Sequence, residues 1–290
     1  MTSAGIFMRG LAMGAADAVP GVSGGTIAFL TGIYPRWLAV LTALHPRLLR
    51  LGMQGQWKAL WRVLDGAFVL PLIAGIIIAL ISVAHLITYG LNAWPERIWG
   101  LFFGLVMMMG LGLIRQIWPG FQGRHVAYFA IGLLGSAALG LLQPVSMEMA
   151  WWGWPLAGAL ALSAMLLPGI SGSFLLVLIG VYPTLMKAVT SGDWGMLGLF
   201  ALGGGCGLIA MAHLLRWILA RAEMILLSTL TGVVFGALVR IWPWQSSDQS
   251  GTLLLNWPSV SNWLSPTLWM LAGLMCGFVM LWVSQREGAV

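Results

Sequence analysis

The sequence predicts an all-α polytopic membrane protein made of two inverted repeats, each a re-entrant helical hairpin followed by three transmembrane helices. Three observations carry that prediction. Hydrophobic residues fill 60% of the 290 positions and charged residues only 8%, against about 25% charged in a soluble domain. So few charges cannot cover a water-facing globule, and soluble enzyme folds are excluded. Apolar runs long enough to cross a bilayer as helices recur along the chain. A Pro-Gly-x-Ser-Gly sequence interrupts such a run twice, about half a chain apart.

The elements follow in order. A first apolar stretch, about 10–34, is broken by Val19-Pro20-Gly21-Val22-Ser23-Gly24-Gly25. Proline removes a backbone donor and clashes with the preceding turn, and glycine adds conformational freedom, so one helix ends and another begins. Spans at 67–90, 97–118 and 126–143 complete a first repeat, 1–145. A second interrupted stretch, about 151–189, is broken by Leu167-Pro168-Gly169-Ile170-Ser171-Gly172-Ser173. Spans at 196–220, 224–243 and 266–284 complete a second repeat, 146–290, and the whole forms one membrane domain. Pro20, Gly21, Ser23, Gly24, Gly32, Tyr34 and Pro35 recur as Pro168, Gly169, Ser171, Gly172, Gly180, Tyr182 and Pro183, each 148 residues later. Shorter echoes keep the same order: Ala84-His85-Leu86 with Ala212-His213-Leu214, Glu96 with Glu223, Trp118-Pro119 with Trp242-Pro243. Such internal duplication is common in transporters.

Charge sets the orientation. With re-entrant hairpins, eleven of the 14 basic residues fall on one side, including Arg36, Arg47, Arg50, Lys58 and Arg62. That side is cytoplasmic by the positive-inside rule, and the loop 244–265, which holds Asp248 and no lysine or arginine, is external. A hairpin that spanned once instead would make the halves parallel, and charge alone does not exclude that. The net charge of +6 is read as this topology signal and not as affinity for nucleic acid. Cys206 and Cys276 lie in apolar segments and imply neither a disulfide framework nor a metal site. The first residues lack the pattern of a secretory signal.

The run from Gly14 to Phe29, with Gly32-Ile33-Tyr34 behind it, closely resembles the signature of the bacterial polyprenyl-phosphate transporter family, formerly known only as a membrane domain of unknown function. Leu167 to Phe174, with Gly180-Val181-Tyr182, is similar to the second motif of that family. The resemblance implies a multi-pass protein of the bacterial inner membrane. It also implies an activity: return of undecaprenyl phosphate, the carrier of cell-wall precursors, from the outer to the cytoplasmic leaflet. It implies no enzymatic step and no cofactor.

The residues themselves point to an anion site. Non-helical backbone at membrane depth is tolerated only against protein or a water-filled cavity. Half-helices expected from Thr26 and Phe174 onward present free N–H groups to an anion. Ser23, Thr26, Ser171 and Ser173 add hydroxyls, while Gly21, Gly24, Gly25, Gly169 and Gly172 let a phosphate approach the backbone. Arg9, Arg115 and Arg240 are further phosphate candidates, with interface anchoring as the competing role. Asp17 has Met165 as its counterpart, so it is an unpaired intramembrane acid. It is a candidate for a coupling proton or sodium ion, or for capping a half-helix; Glu96 and Glu223 come next as coupling candidates. Tyr34, Tyr182 and the tryptophans, Trp151, Trp152 and Trp154 among them, read as interface residues. His85 and His213 read as packed or capped within their spans. Two other functions stay open: a small-anion transporter or channel, and a rhomboid-like serine hydrolase, since Gly21-Val22-Ser23-Gly24-Gly25 matches G-x-S-x-G. Monomer and homo-oligomer are both compatible with the sequence.

Overall fold

Proline and glycine punctuate the apolar sequence into helices. The computed structural model describes all residues except 18–22, 46, 144–148, 248–252, 260–262 and 289–290. Pro20, Gly21, Asp248 and the expected repeat boundary therefore lie outside the described residues, as do the side chains of His85, Arg47 and Arg286. The first stretch forms α1 (Ser3–Asp17) and α2 (Gly24–Leu30), which packs back on α1. A turn at Gly32, whose φ of 71° suits glycine, leads to α3 (Tyr34–Ala43). Pro35 sits in the first turn of α3, where a missing N–H leaves no bond unmade. The basic segment expected as a loop holds α4 (Arg47–Met53) and α5 (Trp57–Val63). Three long helices follow: α6 (Gly66–Ala93), α7 (Pro95–Ile117) and α8 (Gly123–Leu141).

The second half repeats the pattern. Here α9 (Gly153–Met165) and α10 (Gly172–Leu178) flank the second break and pack together, and α11 (Tyr182–Ser191) follows a turn at Gly180. Next comes α12 (Trp194–Ala237), two helices that meet at a kink at Ala222, between the spans expected at 196–220 and 224–243. Its 44 residues would make about 66 Å if continuous, more than twice the ~30 Å hydrocarbon thickness, and the kink divides them. No proline, glycine or polar loop separates the two spans. The chain instead bends at one residue, Ala222 (φ −144°, ψ 47°), much as Trp94 (φ −144°, ψ 61°) separates α6 from α7. The segment after α12 carries a small antiparallel hairpin, β1 (Gln245–Ser247) with β2 (Leu253–Leu255), before α13 (Leu264–Gly288).

Among the described residues, four helices are long and apolar enough to cross a membrane: α7 with its 3-10 extension, α8, α12 and α13. The number reaches six if the bent pairs α5–α6 (70°) and α10–α11 (114°) each count as one span. Large apolar side chains on α6, α8 and α13, such as Leu70, Ile131 and Phe278, point outward, where lipid would cover them.

Helices pack as close pairs: α1 on α6, α9 on α12, α7 on α13 and α8 on α12. Glycines set these crossings. The α-carbon of Gly104 faces the carbonyl of Met270, and that of Gly273 faces Leu101. In matched register, Gly232 faces the carbonyl of Phe129 and Gly132 faces Thr229. A Cβ at any of these four would overlap a backbone oxygen. Small residues are what allow such approach where lipid supplies no hydrophobic drive between helices. The main buried cluster joins α1–α3, α6, α7 and the second part of α12 around Phe68, Leu72, Met109, Leu113 and Val234.

Candidate functional site

Breaking a helix frees backbone groups, and here side chains from the first half satisfy those freed at the second break. If α9 continued past Met165, the N–H of Gly169 would bond the Met165 carbonyl. Pro168 and the positive φ of Gly169 (85°) prevent that. Gly169 N donates to Thr26 Oγ1 (2.8 Å), and the Met165 carbonyl accepts from Ser23 Oγ (3.3 Å). The next carbonyl, Leu166, accepts from Tyr34 Oη (2.9 Å). Three hydrogen bonds, from Ser23, Thr26 and Tyr34 at the start of α3, thus dock the second tip on the first half. Tyr34 is buried at 1% exposure with its ring edge-on to Phe29, so the expected interface position for this tyrosine is replaced by an internal one. Its polar tip was needed inside, where a carbonyl had been released.

Both second half-helices start two residues earlier than expected, at Gly24 and Gly172. Ser23 and Ser171 have extended backbone, which makes them the N-cap positions and the glycines the first helical residues. At seven residues each, α2 and α10 have small dipoles, so side chains carry most of any anion affinity.

The two motifs are used differently. In the first, Gly24 N donates to Asp17 Oδ1 (2.7 Å) and Gly25 N to Ser23 Oγ (3.1 Å). Ser23, Gly25 and Thr26 are buried among protein atoms, and Gly25 packs on the Met165 carbonyl. Among the described residues, the polar groups of this motif are engaged internally. In the second motif, Ser171 makes no cap bond. Its hydroxyl pairs with that of Ser173 (2.9 Å). Gly169, Ile170, Ser171 and Phe174 line a cavity closed by Ser136 and Gly140 of α8 and by Arg240. The Arg240 guanidinium lies 4.8 Å from the centre of the Phe174 ring. The cavity leaves about 20 Å³ for the centre of a water-sized sphere, room for about one water and too little for a phosphate.

The other expected site residues are elsewhere. Arg9 is buried in α1 and donates to the Gly5 carbonyl (3.2 Å). Arg115 is exposed near the end of α7 and does not line the cavity. Glu96 is partly buried in the first turn of α7, and Glu223 is exposed beside the bend in α12. His213 pairs with the Ile209 carbonyl (2.9 Å) one turn away. Trp151 and Trp152 are exposed, whereas Trp154 is buried in the packing of α9, not at an interface. Ser136 and Gly140 had no signal in the sequence beyond a hydroxyl and a small residue in an apolar span.

The model of a family described as VCA0040-like, undecaprenyl phosphate translocase-like, matches residues 13–256. A polyprenyl-phosphate transporter of Vibrio cholerae serotype O1 is 38% identical over 241 residues, covering 83% of this chain and 78% of that protein. A polyprenyl-phosphate transporter of Staphylococcus aureus is 29% identical over 267 residues, 81% of this chain and 85% of its own. No solved structure matches. Relatives of this kind and several long apolar helices identify a multi-pass bacterial membrane protein. With matching residues that run from α1 to the strand pair before α13, the chain belongs to the VCA0040-like, undecaprenyl phosphate translocase-like family.

Proposed function

We propose that this protein carries a polyprenyl phosphate such as undecaprenyl phosphate from the outer to the cytoplasmic leaflet, without converting it chemically. The names of its relatives support lipid-phosphate transport. The observation that carries the reading to particular residues is the cavity beside the joined hairpin tips, lined by Ser136, Ser171 and Arg240, with Ser173 paired to Ser171. A guanidinium and two hydroxyls suit a phosphate monoester. The head group enters when the tips part, and the prenyl tail stays in lipid.

Two inverted repeats with re-entrant hairpins are the architecture we infer for this cycle. Support comes from the folding back of α2 on α1 and α10 on α9, and from the matched glycine crossings. The head group carries about one to two negative charges. Moving one inward costs about 2.3 kcal/mol per 100 mV of inside-negative potential, which a co-moving proton or sodium ion offsets. Serine hydrolysis is not favoured: Ser23 donates to a carbonyl, Ser171 pairs with Ser173, and neither bonds a histidine among the described residues.

Binding of labelled polyprenyl phosphate to purified protein tests the site. Each hydrogen bond to a charged group contributes roughly 1.5–3 kcal/mol, so Ser171→Ala or Arg240→Ala lowers affinity about tenfold or more. Wild-type affinity in the double variant would reject the site. Flux in vesicles with imposed proton and sodium gradients tests coupling, and a rate indifferent to both rejects it.

A further inference from the structure

Asp17 and Met165 occupy the same place in the two halves, and they do opposite things. The carboxylate of Asp17 lies over Gly24 and accepts its N–H at 2.7 Å. The side chain of Met165 lies over Gly172 in the same way, but a thioether offers at most a weak acceptor. The backbone around each is alike, since the Met13 carbonyl flanks Gly24 as the Ala161 carbonyl flanks Gly172. The difference extends one residue further: Ser23 caps Gly25, whereas Ser171 makes no cap bond and pairs with Ser173.

We propose that Asp17 is a positioning residue that locks the first hairpin shut, leaving the second hairpin, which has no such lock, as the one that moves with the lipid head group. The lock is a hydrogen-bond acceptor joining the end of α1 to the start of α2 across the break. With Ser23 it fixes the first motif as a stationary wall, to which Thr26 and Tyr34 dock the second tip. The second motif has those same docking bonds but no bond between its own two arms from these positions. Its hydroxyls and the neighbouring Arg240 are therefore the groups free to exchange partners. This rests on the Ser171–Arg240 cavity as the head-group site, and it removes Asp17 from the coupling-ion candidates.

Three measurements on the full-length protein test the lock. Hydrogen exchange in detergent should be slower at Gly24 and Gly25 than at Gly172 and Ser173; equal rates overturn it. Asn accepts the same bond as Asp at a helix start, so Asp17→Asn should keep translocation of polyprenyl phosphate in vesicles within about threefold and keep its response to ion gradients. Loss of that response with the protein folded makes Asp17 a coupling acid and overturns the lock. Met165→Asn supplies the missing acceptor to the second hairpin. It should slow translocation about tenfold and weaken binding of the same lipid by a similar factor, the effect of one added bond on the opening equilibrium. Wild-type translocation by Met165→Asn also overturns the proposal. Failure of the site itself shows separately, as unchanged lipid binding in Ser171→Ala and Arg240→Ala.

Discussion

Replacing Tyr34 with phenylalanine removes one oxygen and leaves the ring where it packs on Phe29, 5.2 Å between centroids. The lost bond, 2.9 Å from Tyr34 Oη to the Leu166 carbonyl, is one of three that dock the second hairpin tip on the first half. It is buried, so the carbonyl gains no water in exchange while the tips stay closed. A bond of this kind contributes a net ~1–1.5 kcal/mol, equivalent to a shift of about five- to twelvefold toward parted tips. Folding itself should suffer little, because the ring and its packing on Phe29 are kept. The assay is the rate at which a thiol reagent reacts with Gly140→Cys, whose position lines the cavity. Tyr34→Phe should raise that rate several-fold with a melting temperature within a few degrees of the parent. An unchanged rate would refute the idea that these bonds hold the cavity closed. A large fall in melting temperature would show instead that Tyr34 supports the core.

Three further outcomes follow from the packing, the surface and the charge pattern. Gly104→Ala places a methyl group on the Met270 carbonyl and should destabilise the protein by about 1–3 kcal/mol in a detergent melt, whereas Gly135→Ala, with open space around it, should not. Arg36 grips Asp65 through two hydrogen bonds (2.6 and 3.0 Å), but both side chains are more than a third exposed, so a double-mutant cycle should give under about 1 kcal/mol and fall further in high salt. Cysteines placed at Lys58 and at Trp257 should report opposite sides of the membrane in intact cells, the second labelled from outside and the first protected; the reverse would invert the assigned orientation.

Much of the fold was legible because membrane helices advertise themselves. Long apolar runs located α6, α7, α8 and α13 to within a few residues, and Pro-Gly pairs located both breaks. The folded chain brings the two motifs together, through Gly169 to Thr26 and Ser23 to Met165. What stayed hidden depends on bonds between distant residues. Nothing local shows that Tyr34 turns inward, because its partner is a carbonyl released 132 residues away. The two short helices α4 and α5 lay in a segment whose arginines and lysine read as a loop. That Asp17 accepts the N–H of Gly24 needed the folded hairpin, which brings the two together.

The crossing partners of the last helix in each half have a consequence for how such a chain can be divided. The third long helix of the first half, α8, rests on α12 of the second, and the third of the second half, α13, rests on α7 of the first. Cutting the chain between the halves would leave each fragment with a glycine stripe turned to lipid and no carbonyl ridge to fill it. Neither fragment should persist alone in a cell, but the two expressed together should reassemble. Each half lends its final long helix to the other, so the packing that holds that helix lies across the cut and not within the fragment that carries it.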